Sequence, residues 1–189
     1  MPDVTPEEAR ETAQVLLNSR RDAELLEFCE SVVELFPQDA ELKMLYATAL
    51  MKSRPGDARE QIEASIALEP DHSWRLFRAA SLSFFLGDYA ASRAYLERAY
   101  RGGSDPTLLR ELIHLGGRLA AVAGDDELAE EALRSAFELE PQDLVFGRDL
   151  ARFLAERGRI DEALIVIDRA QEFAIDTDEL ARLRAELRS

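Results

Sequence analysis

What most constrains the fold of this chain is that it repeats. A phrase closing on proline recurs as Glu34-Leu35-Phe36-Pro37, Ala67-Leu68-Glu69-Pro70 and Glu138-Leu139-Glu140-Pro141. Pro37 and Pro70 are 33 residues apart, and Pro141 follows after 71, two further units of similar size. Gly87, Gly124 and Gly158 mark a second column, spaced by 37 and 34 residues. After each glycine the side chains fall in phase, as Ser92, Leu96 and Ala99, then Ala129, Leu133 and Ala136, then Ala163, Ile167 and Ala170. A period near 34 marks an array of supersecondary units, each burying its apolar face against its neighbours.

Inside a unit the apolar spacing is helical. Ala163, Ile167, Ala170 and Ala174 follow the i, i+4, i+7 rule of a helix with one buried face. Helix starts are marked as well. Thr5-Pro6-Glu7-Glu8 reads as a capping box with proline at the first helical position, Asp105-Pro106 opens a helix in the same way, and Asp176-x-x-Glu179 begins the last one. No alternating segment reads as a strand, so every unit reads as helix, turn, helix.

Charge and composition narrow the function. The chain has 38 Asp+Glu against 23 Lys+Arg, a net charge of −15. That balance argues against nucleic acid or an anionic membrane as the partner, because phosphate binding needs clustered cations. No apolar run reaches the roughly 18 residues that span a bilayer, so no direct membrane insertion is expected, and the first residues read as no signal peptide. A single cysteine, Cys29, sits at a core position of its helix and fits a reducing cytoplasm. The two histidines, His72 and His114, and the lone cysteine form no metal-ligand spacing, nucleophile pair or phosphate loop. The expectation is no catalytic residue, no metal and no cofactor. The excess of Arg over Lys, 21 to 2, suggests a GC-rich bacterial coding sequence.

These columns resemble the tetratricopeptide repeat (TPR). The unit 144–177 carries Leu150, Ala151, Leu154, Gly158, Ala163, Ile167 and Ala170 at the places where that family has large, small, turn and helix-B residues, with Ile175 where proline is usual. The unit 110–143 supplies Gly117, Gly124, Ala129, Leu133, Ala136 and Pro141; 73–109 supplies Ala79, Ala80, Gly87, Tyr89, Leu96 and Ala99, with a Gly102-Gly103-Ser104 extension; 40–72 keeps Tyr46, Ala47, Ala58, Ile62 and Pro70. The unit 6–39 diverges most, with Arg20 in the glycine column. The resemblance implies an all-α fold, a right-handed α-α superhelix (solenoid) over 1–189, closed by a capping helix 178–188 bearing Leu180, Leu183 and Leu187.

The family also implies a concave groove lined by the first helix of each unit. Carried over column by column, the groove residues are Arg10, Met44, Met51, Trp74, Phe77, Ser81, Phe84, His114, Arg118, Arg148 and Arg152, with Arg78 beside them. In the third unit Leu76, Ala79, Ala80 and Ser83 already make a packing face, yet Trp74, Phe77 and Phe84 form a second stripe. They read either as anchors for a partner or as core against the adjoining units. The first helices hold nine Arg/Lys against seven Asp/Glu, so the acidity lies elsewhere and the arginines read as groove cations. Against the family's carboxylate clamp of two Asn and three cations the chain offers Arg10, Gln14, Thr48, Trp74 and Arg78, a poor match.

These readings converge on a cytoplasmic protein-protein interaction module, an adaptor or assembly factor. Trp74, Phe77 and Phe84 would anchor an extended or helical segment with acidic flanks, its carboxylates oriented by Arg78, Arg118, Arg148 and Arg152. Two rivals stand beside it: a bacterial chaperone for a secreted or aggregation-prone client, and a homo-oligomer, a self-associating subunit of a larger complex.

Overall fold

The structure, a computed structural model, describes residues 4–102, 105–173 and 178–188, and its contacts divide the chain into two compact units, Met1–Gly103 and Ser104–Ser189. Ala174, Ile175, Asp176, Gly103 and Ser104, which figured in the sequence reading, lie outside the described residues. Among the described residues the structure is entirely helical and turn.

The first unit holds α1 (Pro6–Asn18), α2 (Asp22–Val32), α3 (Ala40–Leu50), α4 (Pro55–Leu68), α5 (Ser73–Phe85) and α6 (Tyr89–Arg101), paired in sequence as antiparallel hairpins. The Thr5 hydroxyl accepts from the Glu8 amide while the Glu8 carboxylate accepts from the Thr5 amide, the capping box expected from the sequence. Asp39 and Asp88 cap α3 and α5's partner α6 in the simpler way, each accepting from an amide three residues on. Within the hairpins the small-residue columns let the helices approach. Ser92 and Ser65 are fully buried there, and each hydroxyl finds a backbone carbonyl on the partner helix, at Ala80 (2.8 Å) and Ala40 (2.6 Å).

The second unit holds α7 (Pro106–Ala123), α8 (Asp126–Leu139), α9 (Leu144–Glu156), α10 (Ile160–Phe173) and α11 (Asp178–Leu187). Here α7 starts at Pro106 behind the Asp105 cap, ahead of the expected unit edge at 109/110, because cap and proline together start a helix wherever they fall. The core is continuous from Ala120 on α7 through Phe137, Phe146, Leu150, Leu154 and Ile167 to Leu180 and Leu183 of α11. The last helix thus closes the apolar face of α9 and α10, as a cap must.

Two glycines explain how closely the hairpins of this unit pack. A Cβ on Gly117 would lie 3.0 Å from the Leu133 Cγ and 3.1 Å from the Ala132 Cβ, and one on Gly147 would lie 2.9 Å from the Ala170 Cβ. Gly117 therefore permits the α7–α8 crossing, which accounts for one residue of the Gly116-Gly117 pair. Gly87, Gly124 and Gly158 all hold positive φ (74°, 78° and 75°) at the turn between paired helices. Arg20 fills the same place in the first hairpin with φ 54°.

Successive hairpins are also tied by ion pairs. In the first unit Lys52 reaches back 30 residues to Asp22 and Arg75 reaches back 34 to Glu41. In the second unit Arg157 reaches Asp126, Arg159 reaches Glu130 and Arg169 reaches Glu138, over 31, 29 and 31 residues.

Candidate partner-binding surfaces

In the first unit α5 buries Leu76, Ala79, Ala80 and Ser83, together with Leu82. Its opposite stripe stays partly open. Trp74 is 36% exposed and meets Phe77 edge-to-face at 5.9 Å between ring centroids. Ser81 lies one turn beyond Phe77 and is half-buried. Phe84, also half-buried, stands between the exposed rings of Phe85 (6.0 Å) and Tyr89 (5.3 Å). Phe85 and Tyr89 extend the aromatic surface beyond what the column transfer gave. Phe85 follows Phe84 on the same open side of α5, and that adjacency was the available signal.

Met51 lines an apolar cleft of about 360 Å³ with Leu17, Leu25, Leu26, Thr48 and Ala49, and the Lys52–Asp22 ion pair (2.6 Å) stands at its rim. A cleft of that size takes one large apolar side chain. Met44 is not on this surface. It is fully buried, because α3 is packed against α1, α2, α4 and α5 and leaves little of its circumference open.

The expected groove arginines of the first unit are committed to the chain's own carboxylates. Arg10 pairs with Asp39 at 3.5 Å. Arg78 donates to Glu41, so it does not stand ready for a partner's carboxylate as expected. Arg75, only 7% exposed, donates to both Glu41 (2.8 Å) and Glu69 (2.7 Å) and locks α5 against α3 and the end of α4. Paired this way its burial is tolerable; stripped of Glu41 it would be a buried charge.

In the second unit the expected groove residues gather about one carboxylate. Asp149, 12% exposed on α9, lies 3.2 Å from His114 Nε2, 3.5 Å from Arg118 Nε and 2.9 Å from Arg148 Nη2. Burial by itself would raise the Asp149 carboxyl, but hydrogen bonds and charge from His114 and Arg148 outweigh it and hold it at about 2. His114 is buried, with its ring 4.5 Å from that of Phe146, so it braces α7 on α9 rather than facing outward as a groove residue would. Arg148 also donates to Glu179 of α11 at 3.0 Å. Arg152 is exposed and meets no carboxylate among the described residues.

Elsewhere the chemistry is quiet. Cys29 is buried and its thiol is pushed up to about 12 by desolvation. Among the described residues no group of three His, Cys, Asp or Glu could hold a metal ion, and no helix is long and apolar enough to cross a membrane.

Tetratricopeptide-repeat family models match residues 123–187 and 75–101. With the helical hairpins, glycine turns and small-residue columns described above, they mark tetratricopeptide repeats in each of the two units. A search of curated proteins returns no match. Among solved structures, a thermophilic TPR protein of Thermus thermophilus superposes with a TM-score of 0.83 at 21% identity, covering 97% of this chain and 98% of that one. PilW, a type IV pilus biogenesis factor, gives 0.75 at 18% identity over 95% and 86%. YrrB, a TPR protein with an unusual peptide-binding site, gives 0.60 at 17% over 95% and 90%. At these identities the likeness concerns the fold.

Proposed function

We propose that the protein is a cytoplasmic adaptor that holds an apolar segment of a partner protein on the open aromatic face of α5. One observation carries this reading. The packing face of α5 is complete without Trp74 and Phe77, and yet a helix inside a repeat array leaves Trp74 36% exposed with the half-buried Phe77 ring against it. Rigid aromatic side chains give much contact area for little lost rotamer freedom, which is why they dominate binding energetics. The Leu17–Met51 cleft, on α1, α2 and α3, offers a recess for a second apolar side chain. The solitary cysteine, joined in no disulfide, agrees with a reducing compartment.

Trp74 is the only tryptophan, so the protein carries its own reporter. Selection of a random displayed peptide library on the full chain is expected to yield peptides that shift Trp74 emission saturably. The double variant Trp74→Ala/Phe77→Ala, checked for helicity by circular dichroism, is expected to lose about thirtyfold or more in affinity, the loss typical of removing a buried aromatic anchor. Peptides that bind a folded double variant as tightly as the wild type would overturn the assignment. A chaperone would instead hold unrelated unfolded clients with equal affinity, and self-association would show as a concentration-dependent mass above 21.2 kDa.

A further inference from the structure

We infer that α5 is capped by a proton-sensitive side chain, His72, so that a fall in pH loosens the turn carrying Trp74 and weakens capture on the aromatic face. This rests on the reading of α5 as the partner-binding helix. The first helices of the other hairpins start behind Thr5, Asp39, Asp105 and Asp143, whose hydroxyl or carboxylate oxygen accepts from amides of the first turn. α5 starts behind His72 instead, and its Nδ1 accepts from the Arg75 amide at 3.3 Å. A neutral imidazole has one acceptor nitrogen, so the hydrogen of this ring is on Nε2. Protonation puts a hydrogen on Nδ1 as well. That ends the capping bond and leaves a positive charge at the positive end of the helix. Between about pH 8 and 5 histidine is the side chain that makes this change, while carboxylate caps stay ionised.

The surroundings of His72 set how far the loosening reaches. Arg75 and Leu76 are buried, and Arg75 is pinned by Glu41 of α3 and by Glu69 at the end of α4, at 2.8 and 2.7 Å. Between that lock and His72 stand only Ser73 and Trp74, so the loosening falls on the turn that presents Trp74. Two carboxylates near the ring, Glu69 and Asp71, draw a proton to it. Glu69 is already engaged by Arg75, whose hydrogen bond holds its carboxyl below the usual range, with the charges of His72 and Arg10 adding to it. Asp71 lines an open recess with Arg98 and Arg101 of α6, and Arg98 donates to the Pro70 carbonyl. Those guanidiniums, Arg75 and the α5 N-terminus oppose the added charge. The capped state binds fewer protons at His72 than the uncapped one, so the cap is complete at high pH and lost as pH falls.

The test uses the full chain, ¹⁵N-labelled, at matched ionic strength between about pH 8 and 5. The His72 ring resonances, the Arg75 amide shift and Trp74 emission are followed together. The amide and the emission are expected to move with the midpoint of the ring. A peptide selected by its effect on Trp74 is expected to bind about fivefold more weakly at the acid end, the worth of one helix cap. His72→Asp keeps a carboxylate cap and is expected to hold the amide, the emission and the affinity steady over the range. His72→Ala is expected to give the acid-end emission and affinity throughout. A ring that stays neutral, an Arg75 amide or Trp74 emission that stays fixed while the ring titrates, or a His72→Asp variant that follows the wild type overturns the cap as a switch. An affinity that does not change with the emission overturns its control of capture. Should the selected peptides bind away from Trp74, the partner reading falls, while ring, amide and emission in the free protein still decide the cap.

Discussion

Arg20 and Gly124 stand at the same point of their hairpins, and both backbones are left-handed there, at φ 54° and 78°. Only one of the two residue types adopts that conformation without cost. A side chain with a Cβ loses about 1–2 kcal/mol in this region, and the exposed Arg20 meets no carboxylate among the described residues to compensate. Arg20→Gly is therefore expected to raise stability by about 0.5–1 kcal/mol after the extra freedom glycine gains in the unfolded chain. Urea unfolding of the two proteins measures it, and an unchanged or lower midpoint contradicts the argument.

Gly158 supplies the converse. A Cβ there would meet nothing within 4 Å, so only the backbone at φ 75° resists it. Gly158→Ala is expected to cost about 1 kcal/mol by the same mechanism. Gly117→Ala carries the opposite signature, since helix propensity favours alanine by about 1 kcal/mol while the contacts at 3.0–3.1 Å to Leu133 and Ala132 oppose it. Net destabilisation of about 1 kcal/mol is expected, because overpacking a closed interface costs about 1–3 kcal/mol. A more stable Gly117→Ala would show that α7 and α8 can slide apart freely.

Acid should loosen the second unit through Asp149. Its folded value of about 2 lies below the 3.8 of an ordinary aspartate, so the native state favours the ionised form. The stabilisation is therefore fully present above about pH 4 and is lost as pH falls through 2. The linked free energy is about 2 kcal/mol. Asp149→Asn should lower stability at pH 7 and flatten the pH dependence between about 4 and 2. Thermal melts across that range compare the two, and parallel curves would remove Asp149 from the account.

Cys29 should report unfolding. With its thiol pushed up to about 12, the thiolate at pH 8 is about a thousandfold rarer than for an ordinary cysteine, and burial blocks the reagent besides. Labelling by a disulfide reagent should be slow in buffer and should rise with denaturant along the same curve as circular dichroism. Rapid labelling of the native protein would place Cys29 on a mobile surface instead.

The fold was legible because its signals are local. Thr5 with Glu8, the Asp105-Pro106 start and the turn glycines each act over a few residues, and the structure places them where the pattern required. The packing face of α5 could be read from spacing alone. Met44 could not, because its burial depends on four neighbouring helices enclosing α3. The arginines were legible as residues of the first helices but not as free cations. Glu41 meets Arg75 and Arg78 across 34 and 37 residues, and Asp149 meets His114 and Arg118 only after α9 packs on α7. Charge counted by segment cannot see which charges cancel in space. Phe85 was missed, and Tyr89 was read only as a repeat column and not as part of the aromatic surface, because a column transferred from a family marks positions and not which rings meet in space.

The ion pairs between successive hairpins have a consequence for how such an array can change. In Lys52–Asp22, Arg75–Glu41, Arg157–Asp126, Arg159–Glu130 and Arg169–Glu138 the cation belongs to the later hairpin, whereas in Arg10–Asp39, Arg118–Asp149 and Arg134–Glu162 it belongs to the earlier one. Each junction is thus addressed by its own charges at its own positions. The hairpins share a backbone plan, but they are not interchangeable bricks. Duplicating or reordering one would leave some of these charges without their partners at the new seam, so the array can drift residue by residue far more easily than it can be shuffled.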